Sequence, residues 1–128
     1  MLGGQYTNGW RDGIFVRYLY KWQSIGGDPI KLNGSGACLV TAHHVGGFVC
    51  SYIIYQTGIP SYPNGTSYHE ILKKNTTTEF NMYLDSANCC FYFKGNGGGI
   101  QIGIIPLCGT DFGLVRQAAD LSQMTKIF

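Results

Sequence analysis

Two adjacent histidines, in the stretch ACLVTAHHVGG over residues 37–47, are the side chains of this sequence best suited to acid–base chemistry. Imidazole exchanges a proton near neutral pH, so a histidine beside a nucleophile can act as a general base. Asp85 follows in the chain and could orient such a base, and Cys108 could supply a thiolate nucleophile. Because neighbouring residues of a strand face opposite ways, at most one of His43 and His44 can point into a given site.

With the preceding NGSG, this segment resembles the surroundings of the general-base histidine of trypsin-like proteases, and His44 takes the position of the base. The rest of the chain departs from that pattern. No G-x-S-G motif occurs, and only 20 residues follow Cys108, too few for the strands that build a substrate pocket. We therefore predict a protein that is not an enzyme and has no catalytic residues, and a trypsin-like protease fragment with His44 as base remains an alternative.

Composition favours an all-β protein. The chain of 128 residues is 45% hydrophobic, 14% aromatic and only 12% charged, and it contains 19 glycines. Many aromatic residues and glycines with few charges are typical of strands joined by tight turns. We predict a single-domain antiparallel β-sandwich, jelly-roll-like, of seven to eight strands over residues 14–128, after a lead-in loop over residues 1–13.

The order of strands follows from short apolar runs separated by turn residues. Strands are predicted at 14–25, 37–45, 48–56, 67–74, 80–84, 89–94 and 100–107. Gly46-Gly47, the tetrapeptide DSAN and the Gly-rich stretch GNGGG are each predicted to close a hairpin. The tail over residues 109–128 is predicted to contain either a strand at 112–117 or a short helix at 115–123.

Several classes of partner are disfavoured by the sequence. A net charge of +2 without a run of Lys or Arg gives no basic surface for nucleic acid. No apolar stretch approaches the roughly 20 residues of a membrane-spanning helix. The five cysteines include no C-x-x-C pair, so we predict buried, unpaired thiols, no metal site and no cofactor.

The run FVCSYIIYQ is apolar on both faces. Cys50, Tyr52 and Ile54 lie on one side of the predicted strand, and Val49, Ile53 and Tyr55 lie on the other. One face can line the core of a small sandwich, and the other must be buried against a second surface. A partner subunit is the natural candidate for that surface.

The order of elements resembles the C-terminal receptor-binding head domain of bacteriophage tail fibre proteins. The opening YKWQSIGG matches the family's W-x-K/R-I-G strand at Trp22, Ile25 and Gly26. The family's closing hairpin is matched at Tyr83, Leu84, Phe91, Tyr92, Phe93, Lys94, Ile100 and Leu107. The resemblance covers residues 18 to 107.

This resemblance implies a homotrimeric fibre tip that binds a bacterial surface polysaccharide or an outer-membrane protein without catalysis. It also implies a virion component that is made in the host cytoplasm. A structural virion or assembly protein, such as a decoration or baseplate subunit, is the first alternative.

Receptor contacts are expected on loops, where aromatic rings can stack on sugars and amides can bond their hydroxyl groups. The Pro-containing loop TGIPSYPNGT supplies Tyr62 and Asn64, and Tyr68 follows it directly. Asn96, in the Gly-rich stretch, completes the predicted binding residues. Each of these side chains could instead simply pack its loop or serve its turn.

Overall fold

The computed structural model describes residues 28–44, 47–73, 80–95, 101–110 and 112–127. The predicted lead-in loop, the predicted strand at 14–25 and Asn96 lie outside these residues. The described strands are β1 (Ile30–Asn33), β2 (Gly36–His44), β3 (Gly47–Gln56), β4 (Ser67–Lys73), β5 (Phe80–Asp85), β6 (Cys90–Gly95), β7 (Gln101–Gly109), β8 (Gly113–Arg116) and β9 (Thr125–Lys126).

The strands form two antiparallel sheets, as the composition predicts. The first has the order β8-β1-β6-β5-β9, and the second has the order β4-β3-β2-β7. The chain changes sheet after β1, β4, β6 and β7, so each sheet is assembled from distant parts of the sequence. The all-β sandwich prediction is confirmed.

Two of the three predicted hairpins are confirmed. β2 pairs with β3 from Gly36↔Gln56 to His44↔Gly47, and β5 pairs with β6 along its whole length. The third hairpin, predicted across GNGGG, is wrong, because β7 pairs with β2 in the opposite sheet. Both edges of β6 are already occupied by β1 and β5, so β6 has no free edge for β7.

The core lies between the sheets and follows the alternation of the strands. From the first sheet, Phe80 and Phe93 stack with ring centroids 6.2 Å apart. The core residues with less than 3% exposure are Leu32, Cys38, Val40, Ala42, Val49, Cys50, Tyr52, Ile54, Phe80, Met82, Phe91, Phe93, Ile102, Ile104 and Phe112. At roughly 25 cal/mol per Å² of apolar surface, this burial is the main stabilising term of the fold.

The C-terminal tail contains a strand rather than a helix. β8 pairs with β1, and the two-residue β9 pairs with β5 at the other edge of the same sheet. The segment between β8 and β9 therefore runs from one edge of the sheet to the other, roughly 19 Å at 4.8 Å per strand. Its first residue, Gln117, donates a hydrogen bond from Nε2 to the hydroxyl of Tyr92 at 3.2 Å. Of the two alternatives for the tail, the strand is correct, and Leu121–Gln123 forms only a 3₁₀ turn.

Candidate functional site

The loop between β3 and β4, residues 57–66, is organised around one threonine. The Thr57 hydroxyl accepts a hydrogen bond from the Ile59 N–H at 3.3 Å and lies 3.1 Å from the carbonyl oxygen of Tyr62. The Tyr62 N–H donates to the Ile59 carbonyl at 2.9 Å, which closes a β-turn with Pro60 at its second position. Pro63 then begins the 3₁₀ turn Pro63–Gly65. These internal hydrogen bonds hold the loop in one conformation.

The same loop is tied to the turn between β5 and β6. The Cys89 carbonyl accepts hydrogen bonds from the Gly58 N–H at 2.9 Å and from the Thr66 hydroxyl at 3.4 Å. Cys89 has a φ of 57°, an uncommon value outside glycine that closes this four-residue turn. The buried carboxylate of Asp85 accepts from the backbone N–H of Asn88 at 3.2 Å and from its Nδ2 at 2.8 Å. Both ends of the loop therefore rest on a turn that is itself fixed.

On this rigid support the loop presents an aromatic ring to solvent. Tyr62 is 62% exposed, the largest value among the exposed large hydrophobic residues that the structure describes. A shallow depression of about 480 Å³ is lined by Thr57, Ser61, Tyr62, Pro63, Asn64 and Gly65. The structure thus brings together two of the predicted binding residues, Tyr62 and Asn64.

Tyr68 lies elsewhere, on β4, and part of its ring is used in packing. It meets Phe91 edge to face, with centroids 6.3 Å apart at 87°, and its centroid is 6.2 Å from that of Tyr52. About half of the side chain, 47%, remains exposed. Tyr68 does not line the depression beside Tyr62, so the predicted residues do not form a single site.

A second, smaller cavity of about 220 Å³ opens beside the start of the same loop. It is lined by Lys31, Leu32, Asn33, Gly34, Ser35, Gln56, Thr57, Gly58, Ile59, Cys90 and Thr110. Its wall contains Gln56, a fully buried residue whose amide bonds to Leu32, Gly34 and Phe91. Sequence reasoning missed this cavity, although a glutamine at the inward position after Cys50, Tyr52 and Ile54 was a signal of it.

The residues of the protease alternative are far apart. Cys108 pairs with Ala37 and His44 pairs with Gly47, at opposite ends of β2. Seven residues of strand at about 3.3 Å each place the two backbones roughly 23 Å apart. Asp85 lies in the other sheet and bonds to Asn88. His44, Asp85 and Cys108 therefore do not form a catalytic triad in this fold.

All five cysteines are unpaired, and four of them are buried. Burial raises the pKa of the Cys38 and Cys50 thiols to about 12 and that of Cys90 to about 11. Only Cys108 is exposed. The prediction of buried, unpaired thiols is thus confirmed for Cys38, Cys50, Cys89 and Cys90, and wrong in its burial for Cys108, which follows a β-bulge near the end of β7.

We expect one thiol per chain to react with an aromatic disulfide reagent at pH 8 in the native protein, and all five in 6 M guanidinium chloride. Thiolate is the reactive form, and burial disfavours both the thiolate and the approach of the reagent. The Cys108→Ser variant should leave no fast-reacting thiol. Fast reaction of any thiol in that variant would contradict the burial of Cys38, Cys50, Cys89 and Cys90.

Within the described ranges, no group of three or more His, Cys, Asp or Glu side chains could hold a metal ion. In the same part of the chain, no helix has the length and apolar character needed to cross a bilayer. No protein-family model, no curated protein and no solved structure matches this chain. Its function is therefore inferred from the site itself.

Proposed function

We propose that this domain is the receptor-binding tip of a bacteriophage tail fibre and that it binds a bacterial surface glycan without catalysis. The observation that carries the proposal is the rigid loop at 57–66, which holds the most exposed aromatic ring of the described chain over a shallow depression. Loops fixed on a rigid sandwich are a common solution for recognition.

The chemistry of the loop suits a carbohydrate. An exposed tyrosine ring offers an apolar face for the C–H side of a sugar and a hydroxyl for its polar edge. The Asn64 amide beside it supplies both a donor and acceptors. Because the loop is already ordered by Thr57 and Cys89, binding costs little further conformational entropy.

Replacing Tyr62 by alanine is expected to weaken binding to the recognised glycan at least tenfold, and Asn64→Ala is expected to weaken it severalfold. These changes remove a stacking surface of about 1–2 kcal/mol and one or two hydrogen bonds of about 1 kcal/mol each. Binding is measured by surface plasmon resonance, with the purified chain applied to immobilised surface polysaccharides from a panel of bacterial strains.

Val115→Ala is the matched control, because Val115 is 42% exposed on β8, in the other sheet. This variant should bind as the unmodified chain does. If the chain binds whole cells only through a protease-sensitive receptor, the partner is an outer-membrane protein instead of a glycan. If Tyr62→Ala and Asn64→Ala retain full binding to either receptor, the loop is not the site.

We also propose that the chain assembles as a homotrimer through the outer face of the second sheet. A row of neighbouring side chains crosses β3, β2 and β7 through Ile53, Leu39 and Ile105. Ile53 is 37% and Ile105 44% exposed, and Tyr55 in the next row is 43% exposed. Exposed apolar rows on neighbouring strands are typical of protein–protein interfaces.

Ile53→Lys and Ile105→Lys are each expected to convert the assembly to monomers without unfolding the chain. A charge at the centre of an apolar contact cannot be desolvated without a partner. Light scattering after size exclusion should give three times 14.1 kDa for the unmodified chain and 14.1 kDa for these variants. Val115→Lys, on the other sheet, should remain a trimer. A monomeric unmodified chain would contradict the assembly.

The same apolar face favours a second candidate function, a structural virion or assembly subunit. In that case the outer face of the second sheet would bind another virion protein, and the loop at 57–66 would have no receptor. The two functions differ in one result. A structural subunit would show no saturable binding to cells or polysaccharides, and its Tyr62→Ala variant would behave like the unmodified chain.

A further inference from the structure

The smaller cavity, about 220 Å³ in volume, lies next to the depression at Tyr62, and the two share Thr57 as a lining residue. Its volume equals about seven water molecules of liquid. That space is enough for a single sugar residue and too small for an oligosaccharide. A chain of sugars lying on Tyr62 could therefore place one residue in this cavity.

Two sets of hydrogen bonds hold the walls of the cavity. The Gln56 amide donates to the carbonyls of Leu32 and Gly34 at 2.8 and 2.9 Å. In the second set, the Thr110 N–H donates to the Ser35 carbonyl at 2.8 Å, and the Ser35 N–H donates to the Thr110 hydroxyl at 2.9 Å. A cavity with such fixed walls is preorganised for a ligand of matching shape.

Among the described residues that line this cavity, only Lys31 carries a charge, and no carboxylate of the described residues forms a salt bridge with it. Burial raises the pKa of the lining thiol of Cys90 to about 11, and the nearby Lys31 charge opposes that rise, so its ammonium group acts on the cavity wall. The carboxylate of Asp85, which also acts on the Cys90 thiol, is already bonded to Asn88.

We propose that the cavity binds the carboxylate of an acidic sugar, a uronic acid within the glycan that Tyr62 contacts. Lys31 would pair with the carboxylate, whose single negative charge it balances. The hydroxyl and carbonyl groups of Ser35, Asn33 and Thr110 offer partners for the sugar hydroxyls. This inference rests on the proposed glycan-binding function and adds the class of sugar to it.

The experiment uses the full chain and a panel of uronic-acid-containing bacterial polysaccharides, each paired with its carboxyl-reduced form. We expect every polysaccharide that binds to lose at least tenfold in affinity on reduction. We expect Lys31→Met to lose about as much toward the acidic form and little toward the reduced form, since a charged hydrogen bond contributes roughly that factor. Lys31→Arg should retain most of the binding, and Lys126→Met, which changes an exposed lysine on β9, should retain all of it.

Equal binding of the acidic and reduced forms would overturn the inference, as would binding only to neutral or phosphodiester-linked polysaccharides. Undiminished binding by Lys31→Met would also overturn it. In those cases, loss of binding in Tyr62→Ala would show that the loop still recognises a glycan. If the chain binds no polysaccharide at all, both the inference and the glycan part of the proposed function fail.

Discussion

Replacing Gln56 by leucine is expected to lower the free energy of unfolding by about 3–6 kcal/mol, although leucine is apolar and of similar size. Three backbone groups depend on this amide, and each would be left without a partner inside the protein. An unsatisfied buried polar group costs about 1–3 kcal/mol. Since a domain of this size has a total stability of about 5–15 kcal/mol, the variant should be close to unfolding at 37 °C.

The position of Gln56 explains why the effect is so large. β1 and β6 pair at Ile30↔Phe93 and Lys31↔Tyr92, and the next rung would join Leu32 to Phe91. That rung is replaced by the Gln56 side chain, which donates to the Leu32 carbonyl at 2.8 Å and accepts from the Phe91 N–H at 3.0 Å. Gln56 belongs to the second sheet, so its amide joins the two layers of the sandwich through hydrogen bonds.

Gln56→Glu separates the effect of hydrogen bonding from that of shape. A carboxylate keeps the size but cannot donate to Leu32 and Gly34, and full burial disfavours its charge. Burial raises the pKa of such a glutamate above its unfolded value of about 4.3. The free energy of unfolding of the variant is therefore highest below about pH 4.3 and falls as the pH rises toward 7. This variant should therefore be more stable at pH 4 than at pH 7, relative to the unmodified chain.

The measurement is urea unfolding followed by circular dichroism, at one fixed protein concentration because assembly also stabilises the folded chain. Gln101→Leu is the matched control, since Gln101 is only half-buried on β7, and it should change the free energy of unfolding by about 0.5 kcal/mol or less. If Gln56→Leu unfolds at the same urea concentration as the unmodified chain, the described hydrogen bonds do not hold the two sheets together.

Local patterns predicted the pairing of β2 with β3 and that of β5 with β6. Alternation placed Cys50, Tyr52 and Ile54 on one face of β3, which lines the core, and the Gly-Gly signal predicted the hairpin of β2 and β3 although Gly47 lies in β3 itself. The pairing of β7 with β2 could not be predicted in this way. It joins residues 58 to 73 positions apart, and nothing in the local sequence of β7 distinguishes an edge of β2 from an edge of β6.

Only part of the candidate site was predicted, again because the signals in a single sequence are local. Tyr62 and Asn64 are neighbours in the sequence, so one Pro-containing loop was enough to place them together. The cavity at Lys31 is formed by residues from four separate parts of the chain, residues 31–35 and 56–59 together with Cys90 and Thr110. A single sequence contains no local signal for such a convergence, because it depends on how the two sheets are joined.

Gly109→Ala is expected to destabilise the chain by about 4 kcal/mol or more, for two reasons that can be separated. The first is conformation, since Gly109 has a φ of 106° that side chains rarely adopt. The second is contact, since an added Cβ would overlap the Ser35 carbonyl oxygen and lie 2.7 Å from the Cα of Gly36. Both neighbours are backbone atoms, and moving them would break the bonds between Ser35 and Thr110.

Gly47→Ala is the control that measures the cost of the backbone conformation alone. Gly47 has a φ of 134°, yet no atom lies within 4 Å of the position of an added Cβ. The backbone conformation alone should cost about 1–3 kcal/mol, so the difference between the two variants measures the contact. Urea unfolding of both variants gives this difference directly. Equal losses of the free energy of unfolding in the two variants would contradict the close approach of β2 and β7.

Gly36 and Gly109 face each other at the last pair of β2 and β7, so the two strands require glycine on both sides of one contact. Gly36→Ala should therefore cost about as much as Gly109→Ala, because its Cβ would overlap the Cys108 carbonyl oxygen across the same gap. Once either alanine has forced the strands apart, the second finds the gap already open. The double variant is then expected to lose clearly less free energy of unfolding than the sum of the two single losses, as for residues that share one contact.

Because Ser35 and Thr110 line the cavity at Lys31, separating the two strands should also weaken any binding of an acidic glycan there, which connects the two glycines to the proposed function.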